Sequence, residues 1–109
     1  MDDEIIRLKF GNKYIADDMT FKMGIDIRFT DYLASRFKNM IVLETCTGGG
    51  FSTISLAKYA KHVYSFEIDG RRIQDSKKNA EIANTSEKVT FINDDIVMKE
   101  VPILDLNEM

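Results

Sequence analysis

Three clusters along this chain have the residue types and the order to hold a nucleoside-like ligand. The first is Glu44-Thr45-Cys46-Thr47-Gly48-Gly49-Gly50-Phe51, a carboxylate followed by three consecutive glycines. Glycines let a backbone turn sharply and approach a ligand closely, because no Cβ stands in the way. The second is Glu67-Ile68-Asp69. Glu67 lies 23 positions after Glu44, close to the separation of about 20 at which an acidic residue reaches ribose hydroxyls in dinucleotide-binding folds. The third is Asn93-Asp94-Asp95-Ile96, where a carboxylate can accept from a base amino group while a neighbouring backbone N–H donates to a ring nitrogen.

The loop chemistry narrows the ligand. A phosphate-binding P-loop needs Gly-Lys followed by Ser or Thr, and that run is absent from the loop. A dinucleotide loop needs a third glycine where helix and strand pack closely, and counted from Gly48 that position is Thr53. Between Lys38 and Lys58 there is no Lys or Arg. Such a loop suits a ligand that is cationic and lacks phosphate.

These clusters must be placed by the elements around them. Met40-Ile41-Val42-Leu43 is a continuous apolar run, as expected for a strand covered on both faces. Phe51 to Lys61 carries Phe51, Ile54, Ala57 and Ala60 near helical spacing, with Ser52 or Thr53 available near its start. Val63–Ile68 reads as a second strand, Arg71–Asn84 as a second helix and Lys88–Asn93 as a third strand. Alternating strands and helices build a parallel sheet through right-handed crossovers, and ligands then sit beyond the carboxyl ends of the strands, where all three clusters fall. Upstream, Ile6, Leu8 and Phe10 alternate before Gly11-Asn12, which predicts a hairpin; Thr30 is placed to cap a helix running to about Lys38.

The chain has 109 residues, 44% hydrophobic and 30% charged, with net charge −3, which fits one globular domain and no polybasic nucleic-acid clamp. Cys46 is the single cysteine, so a reducing, cytoplasmic setting is expected and neither a disulfide nor a multi-thiolate zinc site. The start Met1-Asp2-Asp3-Glu4 is acidic and no apolar run nears the roughly 20 residues of a membrane span. Secretion and membrane insertion are not expected.

Val42–Gly50, Val63–Asp69 and Val89–Ile96 together resemble the consecutive cofactor motifs of class I S-adenosylmethionine-dependent methyltransferases, over about half the chain. The resemblance implies a three-layer α/β sandwich with a mainly parallel, Rossmann-like sheet, as a single domain: residues 1–38 as hairpin and helix, 39–109 as the cofactor-binding half. It implies S-adenosylmethionine held by Glu44, Thr45, Cys46, Gly48, Gly50, Glu67, Ile68, Asp94, Asp95 and Ile96, with Glu44 near the ammonium, Glu67 on the ribose and Asp95 favoured over Asp94 for adenine. The helix with Lys77-Lys78-Asn79-Ala80 is similar to RNA methyltransferases of the trimethylguanosine-synthase-like and transfer-RNA-methylating groups, which implies RNA as partner and a guanine amino group as acceptor.

The chain departs from that pattern in two ways. Amino-group methyltransferases carry Asn or Asp, two prolines and an aromatic after the fourth strand, whereas Pro102 is followed by Ile103; the catalytic residues stay unassigned. The family sheet has seven strands and this sequence offers three or four, so a fragment, or a module completed by another copy or a partner segment along its open edge, is expected. Two alternatives stay open: a non-catalytic S-adenosylmethionine-binding or assembly module, and half of a nicotinamide-dependent oxidoreductase. Cys46 is read as a small loop residue, His62 as exposed at the far end of its strand, and Arg71, Arg72, Lys77 and Lys78 as a solvated helix face. Tyr14, Phe21 and Phe29 are read as core aromatics.

Overall fold

The computed structural model describes residues 2–45 and 49–94. Its centre is a parallel sheet of β1 (Ile41–Thr45), β2 (His62–Phe66) and β3 (Val89–Ile92), in the order β1-β2-β3. Ile41 pairs with His62, Val42 with Val63, and Val63 with Val89, so three valines stand side by side on one face. Ala57 and Ala60 close over that row with Leu56 and Phe91. The small alanines let the helix approach the branched row closely.

Two helices complete the crossovers: α4 (Phe51–Tyr59) joins β1 to β2 and α5 (Gly70–Ile82) joins β2 to β3. Right-handed connections that step in one direction put both helices on the same face, and α4 and α5 are in contact. Asp69 caps α5, its carboxylate accepting from the Arg71 N–H at 2.9 Å. The parallel α/β core is therefore as the sequence predicts. The two crossover helices thus share one face of the sheet, and Leu43, Tyr64 and Thr90 lie in register on the opposite face. No helix of the described residues is long and apolar enough to cross a membrane.

The N-terminal region corrects two expectations. Residues Asp3–Phe10 form a helix, α1, and not a hairpin strand. The alternating residues Ile6 and Phe10 are also four apart, so the same pattern serves a helix that buries both and leaves Leu8 73% exposed. Asp2 caps the start by accepting from the Glu4 N–H, and Gly11 at φ +88° ends the helix in the left-handed conformation that a hairpin turn would also use. After α2 (Asp18–Met23), α3 spans Ile27–Ala34 with Asp26 as its cap, followed by one 3₁₀ turn at Ser35–Phe37. Thr30 is thus inside α3, buried, with its hydroxyl 2.8 Å from that of Ser55 on α4.

A second apolar cluster joins this region to the sheet domain. Phe10 stacks on Phe51 with centroids 3.7 Å apart and planes 7° from parallel, and Tyr14 and Ile54 close the group. Tyr14 and Phe21 are core aromatics as predicted, whereas Phe29 is 53% exposed on α3. Ile54 is fully buried where this cluster meets α4. Ile54→Ala should lower the unfolding free energy by about 2–5 kcal/mol, read from urea denaturation of the purified chain.

Candidate functional site

Parallel pairing brings the three predicted clusters to one end of the sheet. Thr45 aligns with Phe66 and Phe66 with Ile92, so the three strands, about 4.8 Å apart, end at the same level, with Glu44 one residue inside the end of β1, Glu67 one residue past the end of β2 and Asp94 two past the end of β3. Glu67 continues β2, its N–H donating to the Ile92 carbonyl at 3.0 Å. Its side chain is buried and one carboxylate oxygen accepts from the Asp69 N–H at 3.2 Å. Ile68, by contrast, is 70% exposed at the rim. Asn93 fastens the β3 end to the β2 end by donating to the carbonyls of Glu67 and Ile68, each at 2.9 Å. The Asp94 N–H donates back to the Ile92 carbonyl at 3.0 Å, which turns the chain at that point.

On the other side stands the exit from β1. Thr45 is exposed at the strand end, and Gly49 and Gly50 are buried beneath the start of α4. Gly50 has φ +83°, and a Cβ there would come within 3.0 Å of the Ser76 Cβ on α5. At Gly49 a Cβ would fall 2.6 Å from the Phe51 ring. Only glycine satisfies both the left-handed conformation and the close approach. Cys46, Gly48, Asp95 and Ile96 lie outside the described residues.

Glu44 does not stand open at the strand end. The hydroxyls of Thr53 and Ser65 donate to its Oε1, the latter at 3.0 Å, and the Ser52 hydroxyl donates to Oε2 at 3.2 Å. Burial raises its carboxyl to about 7, against the opposing pull of the hydroxyls of Ser65 and Ser52. Ser52 and Thr53, which the sequence places near the start of this helix, hold this carboxylate while Gly50 occupies the cap position. Ser65 went unread as a site residue; its signal is a small hydroxyl residue between Val63 and Phe66 of β2, facing the same side as Glu44.

Asn79 is the other residue that sequence reasoning missed. It is fully buried on α5 and donates to the Gly49 carbonyl at 2.8 Å. Arg71, Lys77 and Lys78 are exposed on the same helix, as predicted, and Arg72 is half-buried near Asp69 at 3.9 Å. His62 stands at the start of β2, away from the site, with Nε2 2.8 Å from the Thr90 hydroxyl.

The raised Glu44 carboxyl has a pH signature in the ligand-free chain. The folded state binds this proton more tightly than the unfolded state, so the contribution to stability is full below the ordinary value of 4.5 and is lost as pH rises through about 7. Over that interval the loss should amount to about 3 kcal/mol. Glu44→Gln should flatten the slope, measured as urea unfolding at a series of pH values.

Comparison with known proteins agrees with this geometry. The family model of ribosomal RNA adenine dimethylases matches residues 4–108. No curated protein matches the chain. A tRNA (m1A58) methyltransferase from Aquifex aeolicus aligns with 92% of this chain and 38% of its own, at 26% identity and a TM-score of 0.73. A dimethyladenosine transferase from Plasmodium falciparum shares the fold over 82% of this chain and 30% of its own, at 24% identity and a TM-score of 0.60. The chain thus spans about a third of the length of these structures. The class I methyltransferase resemblance holds, and the family whose model matches is that of ribosomal RNA adenine dimethylases. The chain belongs to the ribosomal RNA adenine dimethylase family of S-adenosylmethionine-dependent methyltransferases.

Proposed function

We propose that this chain supplies the S-adenosylmethionine-binding half of an RNA methyltransferase whose acceptor is an adenine amino group. The observation that carries this is the convergence of the close-packed Gly49-Gly50 turn, buried Glu67 and the Asp94 turn at one end of three parallel strands. Glu67 suits the ribose diol, since its carboxylate is held at the strand end by the Asp69 N–H. Exposed Ile68 offers an apolar surface beside it for a purine ring. Thr45, Cys46, Gly48 and Gly50 would line the methionine end, and Asp94, Asp95 and Ile96 the adenine end.

Glu44 acts in this reading through the loop. Its oxygens are occupied by three hydroxyls, so it fixes the start of α4 over β2 and lends negative potential to the site when ionised. A cationic ligand nearby would favour that ionised form. The absence of Lys and Arg from residues 39–57 agrees with such a ligand. Thr53, at the position where a dinucleotide loop has glycine, is buried against Glu44 and Ser65, which weighs against the oxidoreductase alternative.

S-adenosylmethionine supplies a methyl group on a sulfonium, open to direct displacement by an amine nitrogen. The chain's own residues position and exclude water, and alignment of nucleophile, methyl and leaving sulfur is the principal catalytic demand. Adenine as acceptor follows the description of the matched family and replaces the guanine expected from subgroup resemblance.

Calorimetry with S-adenosylhomocysteine tests the pocket. Saturable binding is expected, with NADH not bound, and Glu67→Ala should weaken it by at least about tenfold, the loss of one charge-assisted pair of hydrogen bonds. Binding of NADH in place of S-adenosylhomocysteine would overturn the reading. For the acceptor, radiolabelled methyl transfer to RNA followed by nucleoside analysis should place the label on adenosine; label on guanosine would restore the earlier expectation.

A further inference from the structure

Asn79 makes an unusual set of contacts for a helix residue. Its Oδ1 accepts from the Ile15 N–H at 2.7 Å, and its Nδ2 donates to the Ile15 carbonyl at 2.9 Å and to the Gly49 carbonyl at 2.8 Å. One side-chain amide therefore pairs with both main-chain groups of Ile15, as a strand neighbour would, and spends its second N–H on the glycine turn. The two segments it joins stand 64 and 30 residues away in sequence. The side chain is fully buried, so each partner lost leaves a polar group without water to replace it.

The N-terminal segment reaches the same turn by two other routes. The Phe10 ring lies flat on Phe51, two residues after Gly49. The Thr20 Cγ2 on α2 sits where a Gly49 Cβ would come within 2.8 Å of it. Removal of residues 10–20 from their seat would therefore release Gly49 on one side and leave the Asn79 amide free to rotate on the other. We infer that Asn79 is a positioning residue that makes docking of the N-terminal segment and the shape of the glycine turn a single event.

The consequence is reciprocal. A ligand that needs the turn as it stands binds the docked state, and by linkage must hold the N-terminal segment down by the same factor. The mechanical coupling rests on the contacts alone; its cofactor arm rests on the methyltransferase reading above.

Hydrogen exchange, followed by mass spectrometry over residues 12–17 and 49–53, tests this in the wild-type chain, Asn79→Ala and Phe10→Ala, each with and without S-adenosylhomocysteine. In wild type, S-adenosylhomocysteine should slow exchange in both segments. In Asn79→Ala, both should exchange faster by about tenfold or more, affinity should fall by a similar factor, and ligand should no longer protect residues 12–17. A purely structural role would lower the melting temperature and leave that ligand protection intact. Phe10→Ala loosens the segment with Asn79 in place, so ligand should still protect residues 12–17; loss of that protection would put the coupling in the Phe10–Phe51 stack and overturn the inference, which decides the matter if Asn79→Ala does not fold. Faster exchange in one segment with the other unchanged would overturn the inference, as would wild-type affinity in a folded Asn79→Ala protein. If wild type binds no S-adenosylhomocysteine, the methyltransferase reading fails, and the paired exchange rates still decide the coupling.

Discussion

The close approach of α4 to α5 at Gly50 is the constraint on which the rest of the site depends. With φ at +83° and Ser76 within contact, that residue admits no side chain. The chain leaving β1 must therefore turn at this point and in this direction. Everything nearby follows from the turn. Ser52 and Thr53 come over the Glu44 carboxylate, Phe51 is delivered to the N-terminal aromatic cluster, and the Gly49 carbonyl faces Asn79.

A seam of small polar side chains then sets the helix positions. Thr53 lies 3.3 Å from Ser65 of β2, and Ser55 pairs with Thr30 and donates to Asp31 of α3 at 2.6 Å. The Asp31 carboxylate also takes Lys58 at 2.8 Å, a half-exposed ion pair that adds little by itself. Small residues let α4 sit close to three neighbours at once. Their hydroxyls give each contact a direction, which an all-apolar interface of the same size would lack. The cost is a set of buried groups that must all be paired, and a carboxyl whose proton becomes harder to remove.

The parallel core was legible because its signals are local and redundant. An apolar run, a glycine turn and a helical face recur in order, and strand ends follow from that order without knowledge of any contact. Glu44, Glu67 and Asp94 were placed at one sheet end on this basis, and parallel register does bring the three strand ends together. What sequence could not supply is where side chains point once packed. Glu44 turns to the hydroxyls of Thr53 and Ser65, a contact between residues 9 and 21 positions away. Asn79 looks like any polar residue on a solvated helix until the backbone of Ile15 is laid against it. The N-terminal helix was misread for a different reason: Ile6 and Phe10 satisfy two periods at once, and a left-handed glycine ends a helix as readily as it closes a hairpin.

The 64-residue span between Ile15 and Asn79 also orders events during synthesis. The N-terminal segment is made first, yet its partner amide is on the last helix of the described residues. At about 5–20 residues per second, the segment waits several seconds before the group that receives it exists. Through that interval α1 and α2 depend on their own aspartate caps for local order, and Phe10 and Tyr14 stay open to the wrong partners until Phe51 and Ile54 are made. The segment seated last is thus translated well before the helix that receives it, and this late closure is where a nascent chain would profit most from a chaperone.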